Sequence, residues 1–120
     1  MRSLLLIAHG SRRAASNEEV RRIGRALAAK LGDNFSLVEV AFLELAEPDI
    51  ATAVDRLVAA GSNEVVWFPY FLAAGRHIAH DLPELLTEAR ARHPEITFIQ
   101  MPYLGALPGL TDWLASSLTS

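Results

Sequence analysis

The 120-residue chain is 51% hydrophobic with a formal net charge of −3. That suits one domain over residues 1–120 with a core of its own. Without cysteine it has no disulfide and no thiolate metal site, so any metal must be held by histidine, carboxylate or the ligand itself. An acidic balance with no broad basic face argues against a nucleic-acid partner.

The opening "MRSLLLIAHGS" pairs a basic residue with an apolar run that ends at Ala8. The run is too short to span a bilayer, and no small-residue cleavage site follows a longer one. The expectation is a soluble, cytoplasmic protein without membrane contact. The same run, Leu4 to Ala8, reads as a strand buried on both faces. Ser16 with Glu19 forms a capping-box pattern for a helix with Val20, Ile23, Leu27 and Leu31 inward. Arg21, Arg22 and Arg25 turn outward, and Gly32 ends the helix.

"FSLVEVAFL", Phe35 to Leu43, is a second strand, placed at an edge because Glu39 interrupts it. Pro48 opens a second helix carrying Ile50, Val54, Leu57 and Val58, and Gly61 closes it. "EVVWFP" is a third, central strand. A loop with Gly75 leads to a third helix around Pro83 to Arg92, with Leu82, Leu85, Leu86 and Ala89 inward. "ITFIQM" is the fourth strand. Pro108 to Leu118 is a last helix whose apolar face is Leu110, Trp113 and Leu114. Such alternation implies a three-layer α/β fold, a four-stranded parallel sheet of order 2-1-3-4 with helices on both faces.

Ligands of such sheets bind beyond the carboxyl ends of the strands. His9 follows the first strand, Glu44 the second, and "PYFLAAGRH" leads from the third to His77. All three should open on one edge. Two imidazoles and a carboxylate there make a partial coordination sphere with positions left for a substrate. Glu44, flanked by Leu43 and Leu45, suits a general base or a ligand. Gly10 and Ser11 leave the His9 ring approachable. Arg12, Arg13 and Arg76 rim the predicted crevice and point to an anionic ligand. His80 would share the face of His77 in a helix, but is read as a surface residue of the helix entry with at most a minor role. His93 is assigned to the final carbonyls of its helix and to no chemistry. Glu47 is explained by its place at the start of the second helix.

"AHGSR", "VEVAFLELAEPDI" and "PYFLAAGRHIAHDLP", in this order and spacing, resemble the small CbiX-like sirohydrochlorin chelatases of the class II tetrapyrrole chelatase family. The resemblance runs from Leu4 to about Leu110. It departs at Leu107, where the family often has a polar residue. It implies a chelatase-like half-unit that inserts cobalt, iron or nickel into a polycarboxylate tetrapyrrole, in cobalamin or siroheme biosynthesis. His9 and His77 match the metal-handling histidines, and Glu44 the acidic residue after the second strand. Ser11, Arg12, Arg13 and Arg76 would meet the substrate's carboxylates, with Tyr70, Phe71 and Leu72 as apolar walls. No organic cofactor is needed, because the metal is a substrate. A single-unit chain would pair with a second copy to cover both faces of the macrocycle. Two other readings stay open: a non-catalytic metal or tetrapyrrole carrier on the same fold, and a histidine phosphatase, which "HGSRR" echoes except for Ala8.

Overall fold

In the computed structural model, β1 (Arg2–Ala8), α1 (Ala14–Leu31), β2 (Leu37–Phe42) and α2 (Ile50–Ala59) are followed by β3 (Glu64–Pro69), α3 (Arg76–Arg92), β4 (Thr97–Gln100) and α4 (Pro108–Thr119). Residues 1–119 are described, the side chain of His77 excepted. The strands pair in parallel in the order β2-β1-β3-β4, as the alternation predicts. β1 is central because residues 3–8 are all buried.

Successive strand residues face opposite sides. Leu5 and Ile7 of β1, Val65 and Trp67 of β3 and Phe98 of β4 pack into one core with Ile50, Val54 and Leu57 of α2 and Ile78, Leu82, Leu86 and Ala89 of α3. Each fully buried side chain of the size of Leu57 contributes about 1.5–3 kcal/mol, so this layer holds the domain together. On the other face, α1 lies close to β2. A Cβ on Gly24 would come within 2.6 Å of Val40 Cγ2, so only glycine permits that approach. Coverage of this face is partial: Ile99 of β4 and Met101 just beyond it are each 39% exposed. α4 adds little to it. None of its residues is buried, with Trp113 64% and Leu118 82% exposed.

Four local expectations are corrected. α1 begins at Ala14 with Arg13 as its cap residue, so Ser16 and Glu19 lie inside the helix and form no capping box. Arg21 is not turned outward: its guanidinium lies 5.1 Å from the centre of the Phe42 ring and donates to the Glu47 carbonyl at 3.0 Å. The second helix starts at Ile50, capped by Asp49, whose carboxylate accepts from the Thr52 N–H at 2.8 Å. α3 begins at Arg76, two turns before Pro83, which therefore sits in the helix interior. An interior proline costs one helical hydrogen bond, a loss that burial of Ile78 and Leu82 on either side of His80 offsets.

His93 likewise turns from its own helix to α2. Its Nε2 is 2.8 Å from Asp55 Oδ1, and Arg92 Nη2 also donates to both Asp55 oxygens. His93, then desolvation in the opposite sense, then Arg92 act on the Asp55 carboxyl, and the net result holds it below its ordinary 3.8. A depressed folded value means that the stabilisation is complete above 3.8 and fades as pH falls through the folded value. Asp55 is half-exposed and screened, so Asp55→Asn should cost about 1 kcal/mol or less at neutral pH. Urea unfolding at neutral pH, repeated well below the ordinary carboxylate value, should show the difference shrinking in acid.

Candidate active site at the carboxyl edge of the sheet

The parallel pairing of β1 with β2 runs on past both strands. The Leu43 N–H donates to the Ala8 carbonyl at 3.0 Å and the Glu44 N–H to the His9 carbonyl at 3.1 Å. Gly10, at φ +97°, then passes so close that a Cβ there would lie 1.8 Å from the Glu44 carbonyl oxygen. His9 and Glu44 are thereby set side by side, with His9 Nε2 3.0 Å from Glu44 Oε1. About half of each side chain is open to solvent.

The loop after His9 is fixed by a residue with no obvious signal in the sequence. Asn17, buried on the first turns of α1, accepts from the Ser11 N–H at 2.9 Å and donates to the Ser11 carbonyl at 2.8 Å. The Ser11 hydroxyl accepts from the Arg13 N–H at 3.1 Å. A buried amide satisfied at both ends holds the loop in one conformation. This clamp occupies the place given to the Ser16–Glu19 box.

α3 supplies the opposite wall. Asp81, Glu84, Leu85 and Glu88 join His9, Leu43 and Glu44 around a pocket of about 280 Å³. No lysine or arginine is among the described residues that line it. His77 lies one helical turn before Asp81, although its side chain is outside the described residues, so its predicted meeting with His9 rests on backbone placement. His80 is helical, with Nδ1 3.3 Å from Asp81 Oδ1 and Nε2 3.5 Å from Glu84 Oε1. Arg12, Arg13 and Arg76 are exposed and stand outside this pocket. The pocket lining itself is acidic, and the predicted cationic rim takes no part in it. Glu84 and Glu88 already share a face on a helix from Pro83, but Asp81 joins them only because the helix starts at Arg76.

The predicted apolar wall divides. Tyr70 is half-buried. Phe71 belongs to the core and, with Ala74, Ile78, Leu82 and Tyr103, lines an apolar pocket of about 200 Å³. Leu72 is 72% exposed. Its backbone is nonetheless fixed: the Gly105 N–H donates to the Phe71 carbonyl at 2.9 Å, and a Cβ on Gly105 would fall 1.7 Å from the Leu72 carbonyl oxygen.

Fold and site together define a small parallel α/β protein with an imidazole–carboxylate pair at its strand ends and an acidic helix face opposite. The CbiX family model matches residues 3–120, and the chain belongs to the CbiX family. Over 86 residues it is 38% identical to the sirohydrochlorin cobaltochelatase of Methanopyrus kandleri, a match covering 72% of this chain and 59% of that one. The chain thus spans about three-fifths of the length of that enzyme. A CbiX protein of Marinobacter aquaeolei VT8 superposes with a TM-score of 0.80 at 30% identity, over 98% of this chain and 94% of that one. The sirohydrochlorin chelatase SirB of Bacillus subtilis subspecies spizizenii, in complex with cobalt, superposes with a TM-score of 0.83 at 26% identity, over 98% of this chain but 49% of SirB.

If His9 is a metal ligand and the Ser11 clamp sets its position, Asn17→Ala should weaken divalent-metal binding about tenfold, the usual effect of losing a partner that orients a ligand. Calorimetric titration measures it. Unchanged affinity in a folded variant would show that the His9 loop needs no clamp.

Proposed function

We propose that this protein inserts a divalent metal ion, cobalt or iron, into sirohydrochlorin or a related polycarboxylate tetrapyrrole. The observation that carries the reading is the His9–Glu44 pair, 3.0 Å apart at the carboxyl edge of the sheet and facing the acidic side of α3. The names of the M. kandleri enzyme and of SirB support the same chemistry.

Metal insertion replaces two pyrrole N–H protons by one dication. His9, with His77 from the first turn of α3, offers neutral imidazole nitrogen that binds a borderline ion while leaving positions for pyrrole nitrogens. Glu44 already contacts His9 Nε2. When that nitrogen takes the ion, its hydrogen bond to Glu44 is given up. The released carboxylate then accepts one pyrrole proton, and the second leaves to water or to an imidazole. Ser11, Arg12, Arg13 and Arg76 are assigned to the macrocycle's carboxylates, and Leu72 to its apolar surface. The four carboxylates of the pocket, Glu44, Asp81, Glu84 and Glu88, oppose the phosphoryl chemistry of the histidine-phosphatase reading. We place the reaction in the cytoplasm as part of the same reading. No described helix is long and apolar enough to cross a membrane.

A pocket of about 280 Å³ admits a hydrated ion but not a tetrapyrrole, since even drug-sized ligands fill about 300–1,000 Å³. The macrocycle must lie over the pocket mouth, with its far face covered from elsewhere. The reading therefore includes a homodimer, formed through the exposed apolar residues of α4 and the Leu72 loop, with the two sites facing one cavity.

Absorbance of sirohydrochlorin with added cobalt(II) follows insertion directly, and separates turnover from the stoichiometric binding expected of a carrier. His9→Ala should abolish turnover. Glu44→Gln should slow it about 100-fold or more while metal affinity holds. Normal turnover in His9→Ala would refute the site, and unchanged turnover with weaker metal binding in Glu44→Gln would make Glu44 a ligand instead. For assembly, light scattering over a dilution series should report a dimer. An active monomer at every concentration would remove the shared cavity.

A further inference from the structure

His80 is not used by the proposed insertion chemistry, yet it stands among metal-binding side chains. His80, Asp81 and Glu84 each offer one ligand atom, and these atoms lie within 4.8 Å of one another. All three come from a single helix, so their spacing is set by backbone geometry and not by a mobile loop. Glu84, four residues after His80, returns to the same face, and Asp81 flanks the ring from the other side.

The donor types narrow the ligand. Carboxylates alone would suit a hard ion such as magnesium or calcium, or simply solvent. One imidazole nitrogen with two carboxylate oxygens is the set that borderline first-row dications favour, with further positions left to water. The location narrows it further. Asp81 and Glu84 also line the pocket that holds His9 and Glu44, while the His80 side chain is 70% exposed. The cluster thus stands at the mouth of the pocket, with two of its donors already inside.

We propose that His80, Asp81 and Glu84 form a second divalent-metal site, where a partly hydrated transition-metal dication is captured before it passes to His9. The direction of transfer rests on the chelatase reading; the binding itself does not. Passage is ligand exchange alone: Asp81 and Glu84 keep hold while His80 and waters are replaced by donors deeper in the pocket, and no electron moves. Three protein ligands and open water positions let the ion leave again. A wall of carboxylates draws a dication to the pocket mouth.

Cobalt(II) alone, titrated by calorimetry and by its visible absorption, tests the site without turnover. Wild type should bind two equivalents per chain, and His80→Ala/Glu84→Gln one. His9→Ala should also keep one, now at the α3 site. Excess magnesium(II) at matched ionic strength should displace neither. In the insertion assay the double variant should raise the KM for cobalt about tenfold and leave the KM for the tetrapyrrole unchanged. One equivalent in wild type, two in the double variant, none in His9→Ala, or displacement by magnesium would each overturn the proposal. If no chain turns over, the chelatase reading falls while the cobalt stoichiometry still decides whether the α3 site exists.

Discussion

The close passage of Gly10 over the Glu44 carbonyl is the constraint on which the site depends. Two backbone hydrogen bonds carry the β1–β2 pairing beyond the strands, and a Cβ at residue 10 would occupy the space of the Glu44 oxygen. The chain can therefore leave β1 only with Gly10 against Glu44 and His9 one residue before it. Neither side chain has to find the other through a flexible loop. The 3.0 Å contact between them follows from sheet register, and so from the core that fixes that register.

The core, in turn, was largely readable from sequence. Leu4 to Ala8 in β1 and Val65 to Pro69 in β3 are apolar without a break, which is what burial on both faces requires, and Glu39 marked β2 as an edge. What failed were the helix starts, each for a physical reason. Ser16 and Glu19 had the spacing of a cap, but an amide at Asn17 reaches back to Ser11, and the cap lies three residues earlier, at Arg13. Pro83 had the look of a first-turn proline, yet Ile78 and Leu82 are buried on turns that precede and include it. The second error hid more than a boundary. His9 and Glu44 could be picked out because strand ends announce themselves, whereas Asp81 joins Glu84 and Glu88 only on a helix that starts at Arg76.

Charge at the site is divided, which composition alone could not reveal. Ten of the eleven basic residues are arginine, and three of these flank the predicted crevice. The pocket beneath is lined by carboxylates. One uniform potential could not serve both a cation and a polyanion. The carboxylate lining suits a cation, and the exposed Arg12, Arg13 and Arg76 are not part of it.

Leu72 and Gly105 carry a consequence for the thermodynamics of association. A largely exposed apolar side chain normally sits on a loop that must be ordered when something covers it, and that ordering opposes binding. Here the loop backbone is already held, with the Phe71 carbonyl hydrogen-bonded and the Leu72 carbonyl packed against the one residue type that leaves it room. Only the Leu72 side-chain rotamers remain to be frozen, a loss of about 0.5–1 kcal/mol for leucine. More of the hydrophobic gain at this position is then available as net affinity, whether the covering surface is a flat macrocycle or a second chain.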